Sequence, residues 1–403
     1  MFQLAIILAA AKIGGEICER FLKIPSVLGE LAAGILIGPF ALGAIDIWNY
    51  GPMFPLDHHS SSHSVPVSES MWSVAQIGSV VLLFGAGLET DLRQFVKYAK
   101  PALVVAIGGV IIPFVLGVAI TVIFGFADGI SDPRALFIGT ILTATSIGIS
   151  VRVLGDMRVL DTPEGITTLA AAVVDDILGI LVLTVVLGIH LTGGFSASSV
   201  AIVASKTIGF WLVLTGLGLF LSKYISKFLD RFKVSGAALA LSLALAFLAA
   251  ALAESFGLAM IIGAFSIGLA LSGTPLAHRL EDPLRGVYNA LVPVFFVVMG
   301  MMVDVTQLGD VWVFGLVVSA LAAVGKIAGS GLPSLMFKFS RAESWRIGVG
   351  MMPRGEVALI MGGVAFGQGL IGQDLFSVCI IMTIITTLVA PLILARSFKN
   401  KTI

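Results

Sequence analysis

Charge is scarce in this chain. Of its 403 residues only 12% are Asp, Glu, Lys or Arg, and the two signs cancel to a formal net charge of zero. With no basic excess, and no basic run interleaved with aromatics, nothing marks a nucleic-acid-binding surface. Cysteine is scarcer still: Cys18 and Cys379 lie in separate apolar stretches near opposite ends of the chain. They supply neither a disulfide framework nor a metal site, and both read as small core residues. An HExxH motif and a Ser/His pair within the apolar stretches are also missing, which argues against an intramembrane enzyme and indicates no cofactor. The first stretch, MFQLAIILAAAKIGGEICER, lacks a basic leader and reads as a retained helix with Lys12 and Glu16 spaced to pair. After the last apolar stretch come only RSFKNKTI and no Pro/Ser-rich linker, so no cytoplasmic regulatory domain is expected.

Apolar sequence fills the space that charge leaves. Hydrophobic residues make up 58% of the chain, far above a soluble domain of this size, and the short alternating strands of a β-barrel are absent. The expected fold class is an all-α polytopic membrane protein. Suitable runs fall near 2–18, 24–45, 71–89, 100–125, 134–153, 165–189, 205–222, 235–253, 256–272, 287–303, 311–332, 344–366 and 374–395, about 13 transmembrane helices. Orientation follows from the basic residues. With the N-terminus outside and the C-terminus cytoplasmic, only Arg134 and Lys206 fall in outward connections. Lys12, Lys326 and Arg354 lie within spans, and every other Lys and Arg falls on the cytoplasmic side. The longest outward loop, roughly 46–70, carries Asp57, His58, His59 and His63, read as an exposed polar loop because no fourth fixed metal ligand is evident.

The sequence also repeats itself. Gly29-Glu-Leu-Ala-Ala-Gly34-Ile-Leu-Ile returns as Gly263-Ala-Phe-Ser-Ile-Gly268-Leu-Ala-Leu, and GLETDLRQF (87–95) returns as GMMVDVTQL (300–308). Asp91 then matches Asp304 on the opposite side of the membrane, the pattern of inverted-topology repeats in secondary transporters. Such folds place their site at the midplane, between interrupted helices. Two interruptions offer themselves: Leu142-Thr-Ala-Thr-Ser-Ile-Gly148, and Met351-Met-Pro-Arg-Gly-Glu-Val357, where Pro353 and Gly355 flank Arg354. The alternative is a pair of kinked helices whose hydroxyls bond back to their own backbone.

The most informative stretch is ITTLAAAVVDDILGILVLTVVLG, which would be an ordinary span except for Asp175 and Asp176 at its middle. Helical rise puts them about 15 Å from Gly165, near the centre of a ~30 Å hydrocarbon layer. Acids at that depth are costly and mark ion or proton pathways. Adjacent on a helix, the two point about 100° apart and can hold different partners. Lys326 reaches a similar depth in its own span, and one of these aspartates is its expected partner. Arg354 and Glu356 read as a neutralising structural pair at the second interruption. Glu30 and Glu89, near cytoplasmic helix ends, either snorkel or line an entry funnel.

Together AAAVVDDILGILVL, TATSIGISVRVLGDMRVLDT, PSVLGELAAGILIGP, LLFGAGLETDLRQF and MMPRGEVALIM resemble the monovalent cation:proton antiporter-2 family, in its Kef- and NapA-like branch. The likeness runs over essentially the whole chain. It implies a homodimer of thirteen-helix protomers with two crossed broken helices, the NhaA-like antiporter fold, and an elevator-like movement of a core domain against an interface domain. On that pattern residues 1–98 and 234–308 form the interface domain, 99–190 and 309–403 the core, and 191–233 a linker helix and cytoplasmic loop. Carried over by position, Asp176 resembles the ion-binding carboxylate and Asp175 the acid bridged to a lysine, here Lys326. Thr143, Thr145 and Ser146 fall where backbone or hydroxyl oxygens would contact the ion. Family members with a potassium-efflux role have Gln-Asp where this chain has Asp-Asp, and carry a cytoplasmic nucleotide-binding domain. Both departures favour electrogenic sodium/proton exchange in a cell (inner) membrane, with Na⁺ (or Li⁺ or K⁺) and H⁺ as cargo. A potassium/proton antiporter of the same fold is the nearest alternative, and a cation channel a more distant one.

Overall fold

The computed structural model describes residues 1–46, 51–55, 67–192, 197–256, 258–303, 311–367 and 369–398. His58, His59 and His63 of the outward loop, and Asp304 and Gln307 of the second repeat, lie outside the described residues. Helix α1 (Phe2–Glu16) runs into a π-helical turn, Ile17–Leu22. Then follow α2 (Ser26–Ile37), α3 (Glu69–Glu89), α4 (Leu92–Ile123), α5 (Pro133–Thr143), α6 (Ile147–Asp156) and α7 (Pro163–Thr192). The chain continues through α8 (Ala197–Leu229), α9 (Ala237–Ser255), α10 (Met260–Ser272), α11 (Pro275–Met301) and α12 (Trp312–Ser334). It closes with α13 (Arg341–Gly350), α14 (Glu356–Gly367) and α15 (Gln373–Phe398).

Ten helical segments are long and apolar enough to cross a membrane, with α5 and α6 counted as one. The expected number of about 13 is not established on that measure. Helix α1 with its π turn, the 13-residue α10 and the interrupted α13–α14 pair fall outside the ten. Glu16, spaced to pair with Lys12, pairs instead with Arg20 across 3.4 Å in the π turn.

Helix starts are set by short polar residues that satisfy the first free backbone N–H groups. Asp91 accepts from the Arg93 and Gln94 amides at the head of α4. Ser340 and Glu343 form a reciprocal capping box at the head of α13. Asp132 caps α5, with Pro133 in the first turn where its missing N–H costs nothing. The Arg134 side chain also bonds Asp132 and holds its carboxyl at about 2, below the usual carboxylate range.

Close packing is set by the repeated glycines. A methyl group on Gly34 of α2 would come within 2.9 Å of the Gly300 Cα on α11. A methyl on Gly268 of α10 would come equally close, 2.9 Å, to the Gly87 Cα on α3. These four are among the six glycines that the sequence repeat matches, Gly34 with Gly268 and Gly87 with Gly300. Each contact therefore joins a helix of one copy to a helix of the other. Without side chains between them the backbones meet directly, the usual means of tight helix association in lipid.

The 32-residue helix α4 lies along α12, α7 and α5. This grouping brings Lys326 of α12 and the two aspartates of α7 toward the two interruptions.

Candidate functional site

Helix α5 stops at Thr143 and α6 resumes at Ile147; α13 stops at Gly350 and α14 begins at Glu356. The two extended segments cross. The Ser146 amide donates to the Pro353 carbonyl at 2.8 Å, the Thr145 hydroxyl to the Met351 carbonyl at 3.1 Å, and the Ser150 hydroxyl to the Gly350 carbonyl at 2.5 Å. At the crossing a methyl on Gly355 would sit 2.7 Å from the Ser146 Oγ and 2.9 Å from its Cβ. Glycine is needed there because the opposing chain occupies the space of any side chain.

Each interruption leaves helix-end carbonyls without a donor one turn on, and such ends carry partial negative charge. Two cations meet them. Arg354, fully buried, donates to the Leu142 carbonyl at 2.8 Å, the Ala322 carbonyl at 3.3 Å, and the Met351 carbonyl and Thr145 hydroxyl at 3.5 Å. Its own carbonyl accepts from the Thr387 hydroxyl. Lys326, also fully buried, donates to the Thr143 carbonyl at 2.7 Å, the Gly109 carbonyl at 2.9 Å and Asp175 Oδ1 at 2.6 Å. Asp175 and Asp176 are 1% and 6% exposed, and Lys326 feels the charge of both.

The structure thus brings Asp175, Asp176, Lys326, Arg354, Thr143, Thr145 and Ser146 to one crossing. Thr143 takes part through its carbonyl, since its hydroxyl turns back to the Thr140 carbonyl at 2.7 Å. The Glu356 side chain lies outside the described residues, so the expected Arg354–Glu356 pair has no geometry here. Glu30 does not reach the crossing. It is buried on α2 and pairs at 3.2 Å with Arg152 of α6, which also bonds Asp156 at 3.1 Å. Glu89 is the exposed last residue of α3, with Glu281 and Arg285 as charged neighbours.

Two features were missed in the sequence. The first is this Glu30–Arg152–Asp156 group; Arg152 reads there as part of a cytoplasmic connection but lies buried within α6. The second is the buried Glu164–Arg346 pair at 3.0 Å, which ties α7 to α13. Arginines at the very end of apolar runs were the available signal for both.

A narrow cleft opens beside the crossing, lined by Leu31 and Phe295 from one side and Ile149, Gly355 and Thr387 from the other. Its walls are almost wholly apolar, and neither aspartate lines it. Among the described residues no three His, Cys, Asp or Glu side chains gather as a metal-binding group. The donors at the crossing are carboxylate, carbonyl and hydroxyl oxygens, a set suited to a small hard cation.

Crossed half-helices with buried acids and compensating cations between them are the architecture of membrane carriers. Residues 5–399 match the family described as sodium/hydrogen exchanger, transmembrane, and the chain belongs to that family. It is 35% identical over 401 residues to the Na⁺/H⁺-K⁺ antiporter GerN of Bacillus cereus, covering 99% of this chain and 96% of that one. It is also 35% identical over 420 residues to the high-affinity Na⁺/H⁺ antiporter NhaS3 of Synechocystis, covering 99% and 90%. Among solved structures, the sodium proton antiporter MjNhaP1 of Methanocaldococcus jannaschii at pH 8 superimposes with a TM-score of 0.69 at 20% identity, covering 99% and 96%. That likeness is one of fold.

Proposed function

We propose that this chain is a sodium/proton antiporter in which a cation and a proton take turns on Asp176. The reading rests on the family and on relatives named as Na⁺/H⁺ antiporters. The single observation that carries the mechanism is the division of labour between neighbouring acids. Asp175 is engaged by Lys326, while Asp176 leaves α7 about 100° around the helix and has its own surroundings. When Asp176 gives up its proton, its carboxylate accepts a partly dehydrated Na⁺ with help from oxygens at the Thr143–Ser146 interruption. A buried carboxylate that is neither protonated nor cation-bound is costly to carry across, so the empty site stays put and exchange is obligatory.

Lys326 supplies the second proton in this scheme. Two protons against one Na⁺ moves net charge, and a membrane potential then drives exchange by ~2.3 kcal/mol per charge per 100 mV. The movement that alternates access is an elevator-like displacement of residues 99–190 and 309–403 against residues 1–98 and 234–308, with 191–233 as linker. The apolar cleft between Phe295 and Ile149 supports this reading, because apolar walls without hydrogen bonds across them would let the two parts slide. The protomer acts as a homodimer in a cell (inner) membrane with its N-terminus outside.

A second reading, potassium/proton exchange, is favoured by one observation, the naming of GerN for both Na⁺ and K⁺. Proteoliposomes assayed with Na⁺, Li⁺ and K⁺ at several pH values, with and without an imposed potential, test both. Exchange with Na⁺ and Li⁺ that responds to potential supports the first; exchange with K⁺ alone overturns it. Conductance far above carrier turnover in planar bilayers would replace both with a channel.

A further inference from the structure

An ammonium group has three N–H donors, and Lys326 meets three acceptors: Asp175 Oδ1, the Thr143 carbonyl and the Gly109 carbonyl. The two carbonyls are available for different covalent reasons. Thr143 ends α5, so no helical N–H follows it. Gly109 lies in the middle of α4, where its carbonyl would ordinarily accept from the amide four residues on. That residue is Pro113, which has no N–H.

We propose that Pro113 is a positioning residue for exchange: by withholding the helical donor from Gly109, it dedicates that carbonyl to the Lys326 ammonium. The surrounding contacts fit a built seat. Pro113 itself packs against Gly325, next to Lys326, where an added methyl would lie 3.2 Å from the Pro113 Cα. On the facing turn a methyl at Gly109 would run into the Ser330 Oγ and meet the Lys326 Nζ at 3.4 Å, so the absence of a side chain at Gly109 is what lets these two α12 side chains lie against α4. The charged groups that face Lys326 are Asp175 and Asp176 from α7 and Arg354 from the second interruption. Helix α4 contributes only its neutral oxygen. That oxygen is therefore the one acceptor whose strength depends on neither an acid nor a helix end, and Pro113 sets it.

The inference rests on the reading of Lys326 as the carrier of the second proton, and the experiment separates the two. The response of Na⁺-driven proton movement to an imposed potential is measured in proteoliposomes for Pro113→Ala, Pro113→Val, Lys326→Gln and the Pro113→Ala/Lys326→Gln double variant. Pro113→Val restores the N–H while keeping bulk, so it stands if the alanine variant folds poorly. Both Pro113 variants are expected to lower the response by about twofold or more, because hydrogen bonds to charged groups are strong and this one gains a competitor. Lys326→Gln is expected to abolish it, and the double variant to match Lys326→Gln. Pro101→Ala, which restores an N–H elsewhere in α4, is expected to leave it unchanged. A full response in the Pro113 variants beside a lost one in Lys326→Gln would overturn the proposal alone. The same loss in Pro101→Ala, or a further loss from Pro113→Ala in the Lys326→Gln background, would also overturn it. A full response in Lys326→Gln would overturn the reading of Lys326 and the proposal with it.

Discussion

The Ser146 amide donates to the Pro353 carbonyl at 2.8 Å, joining two interruptions that lie in different halves of the chain. This backbone hydrogen bond, with those from the Thr145 and Ser150 hydroxyls, fixes where the two broken helices cross. Non-helical backbone at membrane depth is tolerated only where protein or water satisfies it. Here Lys326, Arg354, Thr145 and Ser150 do so directly.

Replacing the acid at the heart of the proposal is the most direct test. Asp176→Asn cannot exchange a proton for a cation, so sodium-dependent proton movement in vesicles should drop by about a hundredfold or more. Retained exchange in a folded Asp176→Asn protein would remove this residue from the mechanism.

Breaking the buried ion pair should cost stability in a characteristic way. Lys326→Met leaves Asp175 buried opposite an apolar side chain, and the loss should be about 3–5 kcal/mol. Adding Asp175→Asn should recover much of it, because the uncompensated charge is gone. Thermal unfolding in detergent would show the recovery as a higher midpoint for the double variant than for Lys326→Met.

Gly355→Ala places a methyl group against Ser146 where the crossing chains already touch. Overpacking of this kind costs about 1–3 kcal/mol. Ser146→Gly in the same protein opens the space again and should restore part of the lost midpoint. An alanine variant as stable as the parent would show that the crossing can loosen.

Asp132 gives a pH dependence away from the membrane interior. Its carboxyl is held at about 2, chiefly by the Arg134 side chain, against an ordinary value of 3.8. A depressed carboxylate contributes stability that is complete above its ordinary value and is lost as pH falls through the depressed one. The midpoint gap between the parent and Asp132→Asn should therefore be constant above about pH 5 and close between about pH 4 and pH 2. A gap that persists to pH 2 would show that the pair contributes through shape, not charge.

Much of this arrangement could be read in the chain, for a simple reason. Ionisable residues stand out inside apolar runs, so Asp175, Asp176 and Lys326 announce themselves, as do Pro353 and Gly355 at an interruption. Pairings between distant helices are less visible. Nothing local in α2 says that Glu30 meets Arg152, or in α7 that Glu164 meets Arg346; both depend on which helices touch. The span count turns on helix length: the apolar run 256–272 reads as a span, whereas the helix formed there, α10, has only 13 residues and falls short of the length that the ten meet. Arg354 shows the same limit from another side. Its described donors reach the Leu142, Ala322 and Met351 carbonyls and the Thr145 hydroxyl, acceptors that sequence does not distinguish from their many neighbours.

The contacts of Gly34 with Gly300 and of Gly268 with Gly87 have a consequence for how the protein must be made. Each half of the chain supplies one face of both seams and the partner face of neither. A polypeptide stopped after the first repeat would hold α2 and α3 with bare backbone grooves and nothing to fill them. Neither seam can close until both halves have been synthesised, so the last of this packing waits for α10 and α11.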